Sequence, residues 1–123
     1  MSDTLSAELA AYGIDYPDAM DRMGDNADLY KRLAFKYLDD SNFVDLVAAM
    51  DVKDFDAAYK AAHSLKGVAG NLSFAELYKI ATTESDALHQ GESQAAEKLL
   101  PDLKAAHEKV LTGLEKWQNG ELS

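Results

Sequence analysis

The chain has 123 residues and no cysteine, and 12 basic against 22 acidic side chains give it a formal net charge of −10. This length suits one domain with one hydrophobic core, and the acidic balance opposes the basic surface that nucleic acids and anionic membranes require. Disulfides and thiolate chemistry are excluded, and because no apolar run approaches ~18 residues and the N-terminus lacks a signal-peptide pattern, we expect a soluble cytoplasmic protein.

The first 13 residues are expected to form a loosely docked helix or a frayed tail on a single domain that spans residues 1–123. A short helix follows them, because Asp15 supplies a cap, Pro17 fits the first turn and Gly24 stops the helix. These segments precede a larger helical unit.

Apolar residues recur at helical spacing along the rest of the chain, and the connections between the apolar segments are short. Five further helices are predicted, at about 26–40, 41–50, 54–71, 73–90 and 93–117. Short connections favour antiparallel neighbours. The predicted fold is therefore all-α, an up-and-down antiparallel four-helix bundle with one or two extra short N-terminal helices.

Several details of these helices are specific. The segment SFAE at residues 73–76 has the form of a capping box, and Ser93 is the expected cap of the last helix. Pro101 should bend that helix or delay its regular part by a turn. The helix at 41–50 is expected to bury Phe43, Val44, Leu46 and Val47.

The segment AAHSLKGVAGNL, residues 61–72, places His63 away from the apolar stripe of its helix, on a line with Gly67 and Gly70. Each glycine costs the helix roughly 1 kcal/mol relative to alanine, and packing gives no evident reason for the pair. Because helical side chains lean toward the N-terminus, any side chain at position 67 would lie over residue 63. The glycines therefore predict a bare surface where a partner can approach the imidazole. The apolar stripe comprises Phe55, Ala58, Ala62, Leu65, Ala69 and Leu72.

Two lysines flank this histidine, Lys60 three residues before it and Lys66 three residues after it. Both can reach a group on the ring, and a pair of cations in an acidic chain suits a dianion. A neutral imidazole is a nucleophile at cellular pH, so a phosphoryl group fits these requirements. Taken singly, each feature also fits an ordinary solvated helix face; the combination favours a site.

The segment HSLKGVAGNLSFAEL, residues 63–77, resembles the signature of histidine phosphotransfer domains, in which His-x-Leu-Lys-Gly precedes small residues, a leucine and a helix-opening turn. Residues 13–38 are similar to the first two helices of that family, and residues 99–117 to its last helix. The resemblance thus spans nearly the whole chain.

The resemblance implies a role for three residues. His63 would be the phosphorylated residue, Lys66 would balance the phosphoryl charge, and Gly67 would leave room for a docking receiver domain. It further implies a phosphocarrier without kinase activity or a cofactor of its own, with Mg²⁺ supplied by the receiver. The expected partners are receiver domains of response regulators and of a hybrid histidine kinase, and the expected state is a monomer.

Two positions depart from common patterns of that family. Ser73 stands where a glycine is frequent in the interhelical turn. Ser85 stands where some members have a glutamine that orients the histidine, and antiparallel pairing places it close enough to His63 for direct contact.

Other functions fit the same helices less well. A module that docks a receiver or another signalling protein without carrying phosphate would not need a nucleophile between two lysines. A metal or haem site would have to use His63, His89 and His107, yet His89 lies about 10 Å along the helix axis from His63, and both other histidines are expected at the surface. A hydrolytic enzyme is the weakest alternative, because no carboxylate pair or Ser/His/Asp set converges.

Overall fold

The helices begin and end close to the boundaries that the sequence predicts. The computed structural model describes residues 2–123, and the side chains of residues 4–123. Within that part the chain has seven α-helices, one 3-10 helix and no strand, which confirms the all-helical prediction. The α-helices are α1 Ser2–Ala10, α2 Tyr16–Arg22, α3 Ala27–Phe35, α4 Asn42–Asp51, α5 Phe55–Asn71, α6 Ala75–His89 and α7 Ser93–Gln118, and the 3-10 helix is Lys36–Asp39.

Three helix starts use the same capping geometry. A side-chain oxygen of Asp15, Asn26 and Asp54 accepts a hydrogen bond from the backbone N–H three residues later, at 3.0 to 3.1 Å, at the starts of α2, α3 and α5. These caps satisfy backbone groups that the first helical turn leaves free. The predicted starts of these helices are confirmed.

The two predicted serine caps are wrong. Ser73 has a left-handed backbone, with φ at +59°, and Phe74 is the N-cap of α6 without a side-chain bond. The Ser73 hydroxyl donates instead to Asp18 of α2, at 2.7 Å, because the turn after α5 points it there. At the start of α7 the N-cap is Glu92, again without a side-chain bond, and Ser93 is already helical. Pro101 lies inside α7 and does not delay it.

The prediction for the buried face of α4 is half wrong. Phe43 and Leu46 are buried, whereas Val44 and Val47 are 64% and 40% exposed. The buried face continues instead through Ala49 and Met50 at helical spacing, and the two valines fall outside that arc.

Helices α4 to α7 pack against one another in a ring. Each contacts the next along the chain, and α7 also contacts α4. The partners α5 and α6 run antiparallel, since Tyr59 near the start of α5 contacts His89 at the end of α6. None of the helices described between residues 2 and 123 combines the length and the apolar character that crossing a membrane requires.

The described N-terminal segment begins with helix α1. α1 buries Leu5 and Leu9 in the core. Beyond it, Tyr12 packs so closely on α7 that a Cβ at the buried Gly113 would lie 2.6 Å from the Tyr12 Cβ. A glycine at this position therefore permits the contact between the N-terminal segment and α7.

Aromatic side chains of α3 pack against those of α2 and α7. Trp117 of α7 has ring contacts with Tyr16, Tyr30 and Phe35. The buried Tyr30 hydroxyl donates to the carbonyl of Leu72, the C-cap of α5. This bond satisfies a terminal carbonyl and anchors the end of the helix that carries His63.

Candidate functional site

The helix α5 buries one face and leaves His63 on the other. Ala58, Ala62, Leu65 and Ala69 of the predicted stripe are buried, and Phe55 at its start is partly buried. His63 and Gly67 are exposed, and the described part of the chain does not cover them. The exposure of His63 agrees with the helical periodicity of the sequence.

The two glycines beyond His63 differ in their surroundings. A Cβ at Gly67 would meet no atom within 4 Å, so the space above it is open. A Cβ at Gly70 would come within 3.0 Å of the Tyr78 ring of α6. The close Tyr78 ring therefore explains why a glycine stands at position 70, which the sequence did not indicate. No packing contact in the described structure explains the glycine at position 67.

The two flanking lysines also differ. Nζ of Lys60 lies 3.2 Å from a carboxylate oxygen of Asp56 in an exposed ion pair one turn earlier on α5. Lys66 is partly buried and makes no ion pair with any side chain among residues 4–123. The positive charge of Lys66 thus remains available to an incoming anion.

A groove of about 440 Å³ begins at Lys66 and Gly67 and runs along α5 toward α2. Arg22 lies at its edge, where its Nε donates to Asp18 at 2.8 Å. Hydrogen bonds from Arg22 and Ser73 lower the pKa of Asp18, which keeps this carboxyl ionised. The surface beside His63 therefore continues into a depression that carries the charged side chains of Arg22 and Asp18.

An aromatic contact that the sequence prediction missed lies directly at His63. The Tyr59 ring is 5.8 Å from the imidazole centroid, at an interplanar angle of 30°. Tyr59 is also 5.2 Å from the ring of His89, at 35°. The i, i+4 spacing of Tyr59 and His63 was a signal for the first contact. The second depends on the register between α5 and α6.

Ser85 and its neighbour Glu84 are both buried on α6. Only one hydrogen bond to a histidine ring occurs among the described side chains, and it involves His107, so Ser85 makes none to His63. Glu84 is 0% exposed, and neither carboxylate oxygen has a partner in the described chain. Burial raises the pKa of Glu84 to about 7.

The expectation that His107 lies at the surface is wrong. Its ring is 7% exposed, stacks on Phe43 at 4.5 Å and shares a 2.6 Å hydrogen bond with the Tyr37 hydroxyl through Nδ1. Burial lowers the pKa of His107, and it raises that of Tyr37. The error arises because Tyr37 of the 3-10 helix and Phe43 of α4 cover this part of α7, which the periodicity of α7 alone does not reveal.

His89 is exposed, as expected. The three histidines do not converge: among the described residues, no group of three or more histidine, cysteine, aspartate or glutamate side chains could hold a metal ion. The arrangement at His63 is instead an exposed imidazole on an open helix surface, three residues before a lysine that has no ion-pair partner among residues 4–123.

Comparison with known families gives one match. The family model described as the Hpt domain matches residues 38–113, a segment that begins within the 3-10 helix and includes α4, α5, α6 and most of α7. No curated protein and no solved structure matches the chain.

Proposed function

Because the chain belongs to the Hpt domain family, whose members perform histidine phosphotransfer in two-component phosphorelays, we propose that it is a phosphorelay intermediate that carries the phosphoryl group on His63. His63 accepts this group from an aspartate of one receiver domain and passes it to an aspartate of another. A hybrid histidine kinase and a response regulator are the expected sources of these receivers. The observation that supports this role is an exposed histidine near Lys66, which forms no ion pair with residues 4–123, and the open space above Gly67.

The transfer step conserves atoms and charge. One ring nitrogen of the neutral His63 imidazole attacks phosphorus, an N–P bond forms, and the P–O bond to the aspartyl carboxyl breaks with its electron pair on the carboxylate. The other ring nitrogen keeps its proton, so the ring becomes a phosphorylated imidazolium. Attack by a second aspartate reverses these changes and restores the neutral ring.

Lys66 and Gly67 make this step possible in different ways. The ammonium of Lys66 offsets charge on the phosphoryl oxygens, and it does so without first giving up an ion pair. Gly67 leaves the ring open to a receiver. Lys60 adds positive charge that Asp56 partly balances.

Two further residues have secondary roles in this proposal. Gly70 lets the Tyr78 ring pack close to α5, beside the groove that Lys66 lines. Ser85 lies on the facing helix of an up-and-down bundle built from α4 to α7. The receiver supplies Mg²⁺ and the acceptor aspartate, and this chain needs no cofactor of its own.

Incubation with a phosphorylated receiver domain, followed by intact mass measurement, tests the carrier role. We expect a gain of one phosphoryl group that is acid-labile and alkali-stable. His63→Gln should abolish the gain, whereas His89→Gln should reach the same gain at the end of the reaction, whatever its rate, because the acceptor His63 is intact.

Two outcomes contradict the proposal. Phosphate on the His63→Gln protein would place the acceptor elsewhere. Binding of several cognate receivers without any gain in mass would favour the alternative of a phosphate-independent docking module.

A further inference from the structure

In-line phosphoryl transfer requires that the acceptor ring be held at a fixed angle when the donor docks. No hydrogen bond performs this task within residues 4–123, because the one bond to a histidine ring there belongs to His107. Ser85 is buried on the facing helix and makes no such bond. Within residues 4–123, the contacts that orient the His63 ring are therefore packing contacts.

The ring that packs on His63 is Tyr59. It lies one turn earlier on α5, and helical side chains lean toward the N-terminus, so the imidazole is directed toward the tyrosine ring. The centroids are 5.8 Å apart and the planes are inclined by 30°. This geometry restricts rotation of the imidazole about its χ angles while the rest of the exposed ring stays accessible.

Tyr59 is itself constrained by a second helix. Its ring centroid lies 5.2 Å from that of His89, in the last turn of α6. A side chain that contacts both helices has fewer rotamers than one on an isolated exposed face. The row His63, Tyr59, His89 thus connects the reactive ring to the α5–α6 pair.

We propose that Tyr59 is a positioning residue, whose ring fixes the orientation of the His63 imidazole for phosphoryl transfer, and that His89 holds the Tyr59 ring in place. This inference rests on the proposed role of His63 as the carrier. It assigns the orienting role to an aromatic side chain on the same helix as the histidine, and not to the side chain at position 85.

The test compares Tyr59→Leu, which removes the aromatic face, with Tyr59→Phe, which keeps it. Single-turnover transfer from a phosphorylated receiver at saturation should be about tenfold slower for Tyr59→Leu and within about twofold of wild type for Tyr59→Phe. Receiver affinity should stay nearly unchanged for both variants. His89→Ala should give a smaller loss of rate in the same direction.

Two further measurements separate positioning from a general structural effect. With phosphoramidate, a small donor that phosphorylates imidazole and releases ammonia, the loss for Tyr59→Leu should be smaller than with a docked receiver. In NMR spectra, the ring-proton resonances of His63 should move in Tyr59→Leu, which loses the ring-current shift, and much less in Tyr59→Phe.

A wild-type protein that is phosphorylated on His63, together with a Tyr59→Leu variant that transfers at the wild-type rate, overturns the positioning role alone. An equal loss in the leucine and phenylalanine variants overturns it as well, because the hydroxyl and not the ring face would then matter. Full activity of His89→Ala removes His89 from the proposal. A wild-type protein that neither donor phosphorylates refutes the carrier function, and with it the positioning role.

Discussion

Gly67 and Gly70 lie three residues apart on α5 and look equivalent in the sequence, but the structure gives them different surroundings. Open space lies above Gly67, while the Tyr78 ring occupies the space above Gly70. The first glycine therefore bears on partner access in the proposed function, and the second on packing between α5 and α6.

A pair of substitutions separates these roles. Gly67→Leu should leave the stability unchanged or raise it by up to about 1 kcal/mol, because helix propensity improves and nothing clashes. It should also slow transfer from a receiver, since the new side chain lies over His63.

Gly70→Ala is the second substitution of the pair. It should raise the stability less than Gly67→Leu does, because the Tyr78 ring must shift to make room for the new Cβ. Thermal unfolding and single-turnover transfer measure the two effects. Transfer by Gly67→Leu at the wild-type rate would contradict the access role.

Glu84 gives the protein an unusual dependence of stability on pH. Its pKa is raised from 4.5 to about 7 in the folded state, so the folded protein binds more protons than the unfolded chain between these values. The contribution of Glu84 to stability is then greatest below about pH 4.5, falls as the pH rises to 7 and stays low above it. The total change is at most about 3 kcal/mol, because any hydration of the carboxylate reduces it.

Glu84→Gln should remove this dependence and make the protein more stable at pH 8. Urea unfolding of both proteins at pH 5.5 and pH 8 checks the sign. Because His107 is present in both, its opposite effect cancels in the difference: burial lowers its pKa, so its contribution is lost as the pH falls below about 6.5. A wild-type protein that gains stability relative to Glu84→Gln as the pH rises would contradict this assignment.

At the scale of elements, the turn between α5 and α6 determines how the His63 helix ends. Ser73 adopts a left-handed conformation there, its carbonyl accepts from the Asp15 N–H at 2.8 Å, and its hydroxyl donates to Asp18. Glycine would adopt this left-handed backbone without strain. Serine adopts a strained positive φ at this position, and its hydroxyl connects the turn to α2.

Two substitutions at this turn measure how much the left-handed backbone of residue 73 costs in stability. Ser73→Ala and Ser73→Gly both lose the hydroxyl, but only glycine adopts a positive φ without strain. Ser73→Gly should therefore be more stable than Ser73→Ala by about 1 kcal/mol. Denaturant unfolding of the two variants measures the difference, and equal stabilities would show that the left-handed conformation is not retained in solution.

At the scale of the whole molecule, the N-terminal segment, besides burying Leu5 and Leu9, makes a close contact with α7. The Cβ that an alanine would place at Gly113 meets the Cβ and ring of Tyr12 at 2.6 and 2.7 Å. Such atoms cannot move apart by a simple change of rotamer, so the segment itself must shift. Gly113 lies within α7, so the docking of the N-terminal segment depends on its lack of a side chain and not on its backbone angles.

Gly113→Ala should destabilise the protein by about 1 to 2 kcal/mol, because overpacking outweighs the gain in helix propensity. Hydrogen exchange should increase in α1 while the protection of α5 is retained. Gly67→Ala, a glycine-to-alanine change in open space, is the control. Wild-type exchange in α1 of the Gly113→Ala protein would show that Tyr12 does not dock in this way.

The sequence by itself determined the helices and the face on which His63 lies. Caps such as Asp54 and the apolar spacing of α5 are local signals within one or two turns. They were sufficient to predict both where the helix lies and which face carries His63. The same signals failed at Ser73 and at Val44, because a turn conformation and the width of a buried arc depend on which neighbouring helix packs there.

The tertiary structure alone decided which side chains surround the site. The contact between Tyr59 and His89, the burial of Glu84 and His107, and the ring above Gly70 all join residues on different helices. Their pairing depends on the register and rotation of those helices, which a pattern with a period of 3.6 residues does not contain. For this reason the exposure of His63 could be predicted from its own helix, and the i, i+4 spacing indicated its contact with Tyr59, while the contact between Tyr59 and His89 could not be predicted.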